Sequence, residues 1–294
     1  MSTNNTFITR LEQLLSDIYQ VIDTMMDNSE IYYHDSNGAR RNFIVLGSPV
    51  NHYRKRDERS QLIARELFKK FIEQVELLLT HANPQTVEKI KGVEKKLLNF
   101  ISQSSHGVPS STDSGKSLFR KQFEIFTNFL NLFKTESATL ILVPDTNALI
   151  QFPDPSSYQK LFGRTFTFLI LPTVLSELDK LKVGHRSEDF RHKVKSVIKR
   201  LKGFRNQGDV LQGVTVAGSI NVKMVATEPN FEKTLQWLDT ENQDDRIIAS
   251  TLDVQVRNPT DQVVLITSDL NLQNKAQTAM LNFVDTDDLE ETAS

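Results

Sequence analysis

Five short apolar runs in the second half of the chain, separated by stretches of helical periodicity, most restrict how it can fold. The runs are 139–143, 166–171, 222–226, 263–267 and 281–284. Unbroken apolar strands joined by helices are typical of a parallel sheet whose two faces are both covered by helices. The second half is therefore predicted to be an α/β domain.

The first half shows the periodicity of amphipathic helices instead. Apolar residues recur at steps of three and four in residues 3–27, again from about Ser60, and again after Asn83-Pro84. Asn is suited to cap a helix and Pro to occupy its first turn, so the third helix is predicted to begin at this pair. A further amphipathic stretch follows residue 117.

Two segments between these helices have a different pattern. Apolar runs at 31–33 and 43–45 flank Asn37-Gly38, which predicts a short hairpin. Residues 103–117 are rich in Ser and Gly and lack apolar periodicity, which predicts a flexible linker or long loop. The predicted organisation is a mainly helical domain over 1–136, containing the flexible segment at about 103–117, an α/β domain over 137–286, and an acidic tail over 287–294.

Composition excludes several classes of protein and site. The chain has no Cys, which removes disulfides, thiolate nucleophiles, iron–sulfur clusters and Cys-type zinc sites. Lys and Arg number 35 against 37 Asp and Glu, so the chain is not a polycation and any affinity for nucleic acid must be local. No apolar run approaches the roughly 18 residues of a membrane helix. We expect a soluble cytoplasmic protein that has no membrane contact.

Acidic residues stand at the end of several predicted strands or in the helices beside them. They are Asp145, Glu177, Asp244, Asp245 and Asp269. Any one of them is explained as well by a helix cap or a solvated helix residue. Together they are expected at one edge of the sheet, where ligands of open α/β sheets bind. Clustered carboxylates must hold protons or a cation, and an all-oxygen set favours Mg²⁺ or Mn²⁺.

These acids lie in motifs that resemble those of PIN-domain nucleases, particularly the bacterial subgroup found beside PhoH-type ATPases. The resemblance extends over about 139–286, with the motifs in the family's order. The matching segments are PDTNALI with Asp145 and Asn147, LPTVLSELDKLK with Glu177, NQDDRIIAS with Asp244 and Asp245, and LITSDLNLQNKA with Ser268, Asp269 and Lys275. The DRIIA register favours Asp245 over Asp244 as the third acid.

The resemblance implies a PIN-like nuclease domain with a parallel central sheet, an acidic metal site and cleavage of single-stranded RNA to 5′-phosphate and 3′-hydroxyl ends. On this basis Asp145 and Asp269 are predicted to be the principal ligands of Mg²⁺ or Mn²⁺. Glu177 and Asp245 are predicted to act through water or to orient the attacking water, and Asp244 is the alternative third acid. Asn147 and Ser268 are predicted to hydrogen-bond the ligands.

A basic stretch directly follows Glu177. Residues 180–205 contain ten Lys and Arg against two acids, which suits contact with phosphates and equally suits a solvated helix face. The predicted nucleic-acid contacts are Lys180, Lys182, Arg186, Arg191, Lys195 and Lys275.

Two other functions remain open from the sequence: a PIN-like module that binds RNA or protein without cleavage, and a structure-specific DNA nuclease. The helical domain is expected to contact a second copy of the chain or a partner protein. The residues do not distinguish a toxin from an RNA-processing factor or a defence effector.

Overall fold

The structure is a computed structural model that describes residues 6–34, 50–80, 82–104, 107–134 and 138–289. The chain divides into two compact units, with the boundary after Lys134. Within the described ranges, no helix is both long enough and apolar enough to cross a membrane.

In the ranges that the structure describes, the N-terminal unit contains four long helices and a two-stranded antiparallel sheet. In chain order its elements are α1 (Phe7–Asp27), β1 (Glu30–His34), β2 (Val50–Lys55), α2 (Glu58–Leu79), α3 (Pro84–Ile101) and α4 (Thr112–Asn131). The periodic apolar residues of α1 form one buried stripe: Ile8, Leu11, Leu15, Ile18, Ile22 and Met25. Burial of this stripe against the other helices supplies most of the stability of such a helix.

The start of α3 confirms the cap predicted from the sequence. The side chain of Asn83 accepts a hydrogen bond from the backbone N–H of Thr86 at 2.9 Å, and Pro84 occupies the first turn. Asp57 caps α2 in the same way by accepting the N–H of Ser60 at 3.1 Å. These bonds satisfy N–H groups that have no partner within the helix.

The first strand of the predicted hairpin is present as β1. β1 pairs with β2, so that Tyr32 lies opposite His52. The second strand had been predicted at 43–45, and both that segment and the Asn37-Gly38 turn lie outside the described residues. The strand that the structure pairs with β1 is β2, nearer to α2.

The predicted linker is wrong at its C-terminal end, because residues 112–117 form the first turns of α4. The Ser111 side chain accepts a hydrogen bond from the N–H of Ser114 at 3.1 Å. Lys116 lies 2.7 Å from Asp27 Oδ1, and this ion pair fixes the start of α4 on α1. Serine was interpreted as a sign of disorder, whereas here it caps a helix.

The C-terminal unit has the α/β architecture predicted from the sequence. Its elements are β3 (Leu140–Pro144), α5 (Thr146–Gln151), a 3₁₀ turn (Pro155–Tyr158), α6 (Gln159–Phe162), β4 (Phe166–Ile170), α7 (Pro172–Gly184), α8 (Glu188–Gln207), β5 (Val214–Val216), β6 (Ile220–Met224), a 3₁₀ turn (Phe231–Lys233), α9 (Gln243–Arg257), β7 (Gln262–Ile266), α10 (Leu270–Thr278) and β8 (Asn282–Val284).

The strands form one sheet in the order β5-β6-β4-β3-β7-β8, and every neighbouring pair is parallel except β5 with β6. All five predicted apolar runs correspond to strands of this sheet. β5 was not predicted, because a three-residue edge strand gives too short an apolar pattern to be recognised.

The order of the strands fixes where a site can form. From β3 the chain adds β4 and then β6 on one side, and it later returns to add β7 and β8 on the other side. Connections that leave β3 and β7 therefore diverge at the carboxyl ends of these two strands. Such a divergence leaves a crevice, which is the common ligand-binding position of open α/β sheets.

Candidate active site

Asp145 stands at this crevice, directly after β3. Its backbone N–H donates a hydrogen bond to the Ile266 carbonyl at 3.0 Å, which joins the ends of β3 and β7. Its carboxylate caps α5, with Oδ1 accepting the N–H of Ala148 at 2.7 Å. The residue is only 3% exposed. The helix cap that the sequence offered as an explanation of Asp145 is therefore present and uses one carboxylate oxygen, while its role as a metal ligand stays a prediction.

The surroundings of Asp145 favour its protonated form. The pKa of this carboxyl is raised to about 6, chiefly by burial and also by the negative charges of Glu177 and Asp269. Hydrogen bonds from the Thr267 hydroxyl and the Ala148 N–H act in the opposite direction and lower the pKa. A nearby cation would stabilise the charged form of a carboxylate that is buried beside two other carboxylates.

Thr267 connects the acids of β3 and β7. It is completely buried, and its hydroxyl hydrogen-bonds the Asp145 carboxylate while accepting the backbone N–H of Asp269 at 3.0 Å. The sequence predicts such a bond from Ser268, which is exposed in the structure. A hydroxyl group two residues before an acidic helix cap can accept the backbone N–H of that acid in a local turn. This spacing is the sequence signal that would have identified Thr267.

Glu177 reaches the site from α7. Its Oε2 accepts a hydrogen bond from the hydroxyl of Thr146, the buried residue that follows Asp145. Glu177 itself is half-buried, whereas Asn147 is exposed in the first turn of α5. The hydrogen bond to Glu177 therefore comes from Thr146, the neighbour of Asn147.

Asp269 begins α10 and is exposed. Its Oδ1 accepts the backbone N–H groups of Asn271 at 2.8 Å and Leu272 at 3.1 Å. The helix N-terminus carries partial positive charge, which stabilises a carboxylate there. This cap fixes the position of the side chain and uses one of its two oxygens.

Asp244 and Asp245 occupy the first turn of α9, where Asn242 accepts both of their N–H groups. Asp245 is 6% exposed, and its Oδ2 accepts the N–H of Asp239 at 3.0 Å. The Lys275 ammonium lies 2.8 Å from Asp245 Oδ1 and 3.4 Å from Asp244 Oδ2. Both acids therefore share one internal cation.

This ion pair changes the role expected for Lys275, which the sequence analysis had placed among the nucleic-acid contacts. Burial alone would lower the pKa of Lys275, but the hydrogen bond to Asp245 and the charges of Asp244 and Asp245 raise it overall. The ammonium group is thus held as a cation between two helices. Besides these acids, it contacts the amide oxygen of Asn242 at 3.3 Å.

Replacement of Lys275 by Met should lower the free energy of unfolding by about 2 kcal/mol, because it leaves Asp245 charged and buried without its cation. Urea denaturation at pH 7 measures the effect. A Lys275→Met/Asp245→Asn double variant should recover most of the loss, and Lys180→Met, an exposed change on α7, serves as the control. Unchanged stability of Lys275→Met would leave Lys275 as a nucleic-acid contact only.

Whether these acids fit a divalent ion depends on their donor atoms and on how they are grouped. Their donor chemistry is suitable, since Asp145, Glu177 and Asp269 offer only carboxylate oxygens, the ligands that Mg²⁺ and Mn²⁺ prefer. Among the residues that the structure describes, however, no three His, Asp or Glu side chains are grouped so that they could hold a metal ion. Asp145 and Asp269 each direct one oxygen to a helix cap, and Lys275 offsets one of the two negative charges of Asp244 and Asp245.

The predicted phosphate contacts fall into two groups. Lys180, Arg186 and Lys195 are exposed. Arg191 donates hydrogen bonds to the carbonyls of His185 and Arg186, so it stabilises the connection between α7 and α8. Lys182 forms an ion pair with Asp179 on its own helix.

A second ion pair, between Arg246 and Glu228, was not predicted from the sequence. Arg246, which follows Asp245 on α9, binds Glu228 with two guanidinium nitrogens, and Glu228 also accepts the hydroxyl proton of the buried Thr173 at 3.0 Å. Burial alone would raise the pKa of Glu228, but the hydrogen bonds from Arg246 and Thr173 lower it overall. The contact joins α7, α9 and the segment after β6.

Trp237 is the only tryptophan of the chain, and it is 42% exposed. It lies two residues before Asp239, whose N–H is bonded to Asp245. Exposed aromatic side chains are suited to stack on bases. The sequence analysis had not singled it out, because an isolated aromatic residue in a polar segment carries no periodic signal.

Comparison with known proteins agrees with this architecture. Residues 142–287 match the family model described as PIN domain, which confirms the resemblance drawn from the four motifs. No curated protein matches the chain. PIN domains are generally nucleases, and they usually bind divalent metals. A mostly parallel sheet, acids at the carboxyl ends of its central strands and the family match agree: the C-terminal half of this chain, residues 142–287, belongs to the PIN-domain family.

Proposed function

We propose that the C-terminal unit is a metal-dependent endoribonuclease that hydrolyses phosphodiester bonds of single-stranded RNA. One observation carries the proposal: three carboxylates from three elements, Asp145, Glu177 and Asp269, approach one crevice at the carboxyl ends of β3 and β7. Buried hydroxyls of Thr146 and Thr267 position two of them. Mg²⁺ is usually held by one or two carboxylates together with waters and substrate phosphates, so a pair of these acids would suffice.

A bound Mg²⁺ or Mn²⁺ ion would polarise the scissile phosphate and make a bound water a better nucleophile. In this proposal Asp145 and Asp269 would hold the ion. Thr146 binds Oε2 of Glu177, which leaves Oε1 to orient the attacking water and accept its proton. As the new P–O bond forms, the P–O3′ bond breaks, and the leaving 3′ oxygen takes a proton from solvent. Asp245 and Asp244, paired with Lys275, position α9 beside these acids.

The proposed substrate contacts are exposed side chains that have no other role in the proposal. The exposed cations Lys180, Arg186 and Lys195 are proposed to bind phosphates, with an affinity that decreases steeply as salt rises. Trp237 is proposed to stack on a base. Arg191 and Lys182 are given no such role, since their charged groups contact the chain itself.

The proposal is tested with the full chain and end-labelled single-stranded RNA and DNA of one sequence. RNA should be cut internally with Mn²⁺ or Mg²⁺, at new 5′-phosphate and 3′-hydroxyl ends, and not in chelator. Fluorescence of Trp237 reports binding separately from cleavage, because no other tryptophan contributes. Binding that is unchanged in chelator, without cleavage in any metal, would identify a binding module. Cleavage of DNA alone would identify a DNA nuclease.

A further inference from the structure

An open cleft of about 700 Å³ lies in the N-terminal unit, between the start of α2 and the end of α3. Three arginines line it, together with polar and apolar side chains. The lining residues that carry the inference are Arg56, Glu58, Arg59, Leu62 and Arg65. All five are exposed, so a molecule that binds in the cleft can reach each of them. The proposed nuclease site makes no use of this cleft.

The three guanidinium groups of the cleft are not neutralised by the described part of the chain. None of Arg56, Arg59 and Arg65 forms an ion pair with a described acid, whereas Lys116 and Lys134 of the same unit are paired with acids of α1. Residues 54–65 contain five Lys and Arg against two acids, in a chain whose net charge is −2. Like charges that share a cleft repel one another, and a ligand with several negative charges removes this repulsion.

The two acids of this segment do not cancel the positive charge. Asp57 is used as the N-cap of α2, where its carboxylate accepts the N–H and the hydroxyl of Ser60 and the amide of Asn28. These hydrogen bonds lower the pKa of Asp57. Glu58 lines the cleft and is exposed. The cleft therefore has three positive side chains against one negative side chain.

Arginine is the side chain best suited to bind phosphate, because its planar fork can donate two parallel hydrogen bonds to phosphate oxygens. Arg56 is held against the ring of Tyr53, with Cζ 5.9 Å from the ring centroid. Arg59 and Arg65 are six residues apart on α2, which corresponds to about 9 Å along the helix axis. A ligand that reaches both must be extended, so a chain of phosphates fits better than a single one.

An exposed pair of aromatic rings lies on the small sheet next to the cleft in sequence. Tyr32 on β1 is opposite His52 on β2, and their ring centroids are 5.3 Å apart with an interplanar angle of 61°. Both side chains are exposed, Tyr32 at 49%. Tyr and His rings are used in proteins to stack on unpaired bases. We refer to these two residues as the ring pair.

A β-bulge supplies a further cation between the ring pair and the cleft. The pairing of the two strands is irregular between Glu30 and Ile31, which leaves Arg54 without an opposite residue on β1. The extra residue of a bulge bends its strand and changes the direction of its side chains. Arg54 is exposed and lies two residues from both His52 and Arg56. The ring pair and the cleft are therefore within about 13 Å of each other along the strand.

We propose that the N-terminal unit binds a single-stranded nucleic acid, with Arg54 and the three cleft arginines contacting phosphates and the ring pair stacking on bases. A positive groove beside exposed aromatic rings is the usual combination in proteins that bind single strands. A duplex keeps its bases paired, and acidic proteins and anionic lipids have no bases to stack. RNA and DNA strands share the required chemistry. The inference goes beyond the proposed nuclease function, since it concerns the other unit and needs no metal.

The test is titration of end-labelled single strands of one sequence, as RNA and as DNA, by fluorescence anisotropy in chelator. The full chain carries Lys180→Gln, Arg186→Gln and Lys195→Gln, so that the cations proposed to bind phosphates in the C-terminal unit do not contribute. Adding Arg59→Gln/Arg65→Gln should weaken binding at least about tenfold and reduce the slope of log affinity against log salt by about 1.4, since each lost phosphate contact of a single strand contributes about 0.7.

Tyr32→Thr, which keeps a residue suited to a strand, tests the stacking separately from the charge. It should weaken single strands about fivefold or more, leave the salt slope unchanged and not affect a duplex of the same sequence. The control is Lys89→Gln/Lys121→Gln, which removes two exposed charges of the same unit outside the cleft and should change the affinity less than about twofold. Tighter binding of RNA than of DNA identifies RNA as the ligand, and equal affinity identifies features that both share.

Several outcomes would overturn the inference. They are absence of binding, an affinity unchanged in either Arg59→Gln/Arg65→Gln or Tyr32→Thr, and an equal loss in the lysine control. Binding of polyglutamate, or of phosphatidylcholine vesicles that contain phosphatidylglycerol, without binding of single strands would identify an acidic protein or a membrane as the partner instead. Cleavage is not measured, so a chain that binds strands in this way and never cuts them supports this inference while contradicting the proposed nuclease function.

Discussion

Replacement of Asp145 by Asn should reduce metal-dependent cleavage of RNA about a thousandfold, which corresponds to loss of about 4 kcal/mol of transition-state stabilisation. Asn keeps the shape of the side chain and can still accept the Ala148 N–H. What it removes is the negative charge that would hold the cation at the end of β3. The rate is measured from initial cleavage of end-labelled RNA in saturating Mn²⁺.

The matched control for this variant is Asp179→Asn, an exposed acid on α7 whose ion pair among the described residues is with Lys182. It removes the same charge within the same domain and should leave the rate within about twofold of the original. Trp237 fluorescence should show RNA binding in both variants. Full metal-dependent turnover by Asp145→Asn would remove Asp145 from the catalytic group and with it the proposed mechanism.

The same Asp145→Asn substitution should stabilise the metal-free fold at pH 7, by at most about 3 kcal/mol. The pKa of Asp145 is raised from 3.8 to about 6 by burial, with further contributions from Glu177 and Asp269. The folded state therefore holds this proton more tightly than the unfolded state. Stability consequently falls between about pH 4 and pH 6, where the unfolded chain ionises this group and the folded chain does not, and a neutral Asn avoids this loss.

The sign of this effect can be followed with pH. From pH 4 to about 6 the unfolded chain has lost the Asp145 proton while the folded chain retains it, so the stability contributed by this group falls as the pH rises. The advantage of Asn should be complete above about pH 6 and disappear near pH 4. Urea denaturation in chelator at pH 4, 5, 6 and 7 measures it, and an equal or lower stability of the variant at pH 7 would contradict the assigned pKa.

The strands and the positions of the acids could be predicted from the sequence because each depends on a local pattern. Apolar runs such as 263–267 identify buried strands, and an acid directly after a run identifies a strand end. The contacts of the acids could not be predicted in this way. That Lys275 would turn toward Asp245, across the interval between α9 and α10, depends on how two helices pack, which no spacing in the sequence encodes.

The positioning hydroxyls were missed for a related reason. Each threonine precedes a polar residue that the motifs emphasise, Asn147 or Ser268, and the prediction named the second residue of each pair. The first pair lies in the first turn of α5 and the second between β7 and α10, so neither follows the alternation of a strand. Which of two adjacent polar residues faces the site is decided by burial, and both threonines are buried.

The two outermost strands of the parallel sheet, β5 and β8, have three residues each. An unpaired strand edge is a template on which another polypeptide can add a strand, and its hazard grows with the number of free amide and carbonyl groups in register. Edges this short offer few such groups, so strand exchange or fibril-like stacking between copies gains little. Self-association of this chain, where it occurs, is therefore expected to use helical surfaces, and concentrated preparations should resist cross-β aggregation through this sheet.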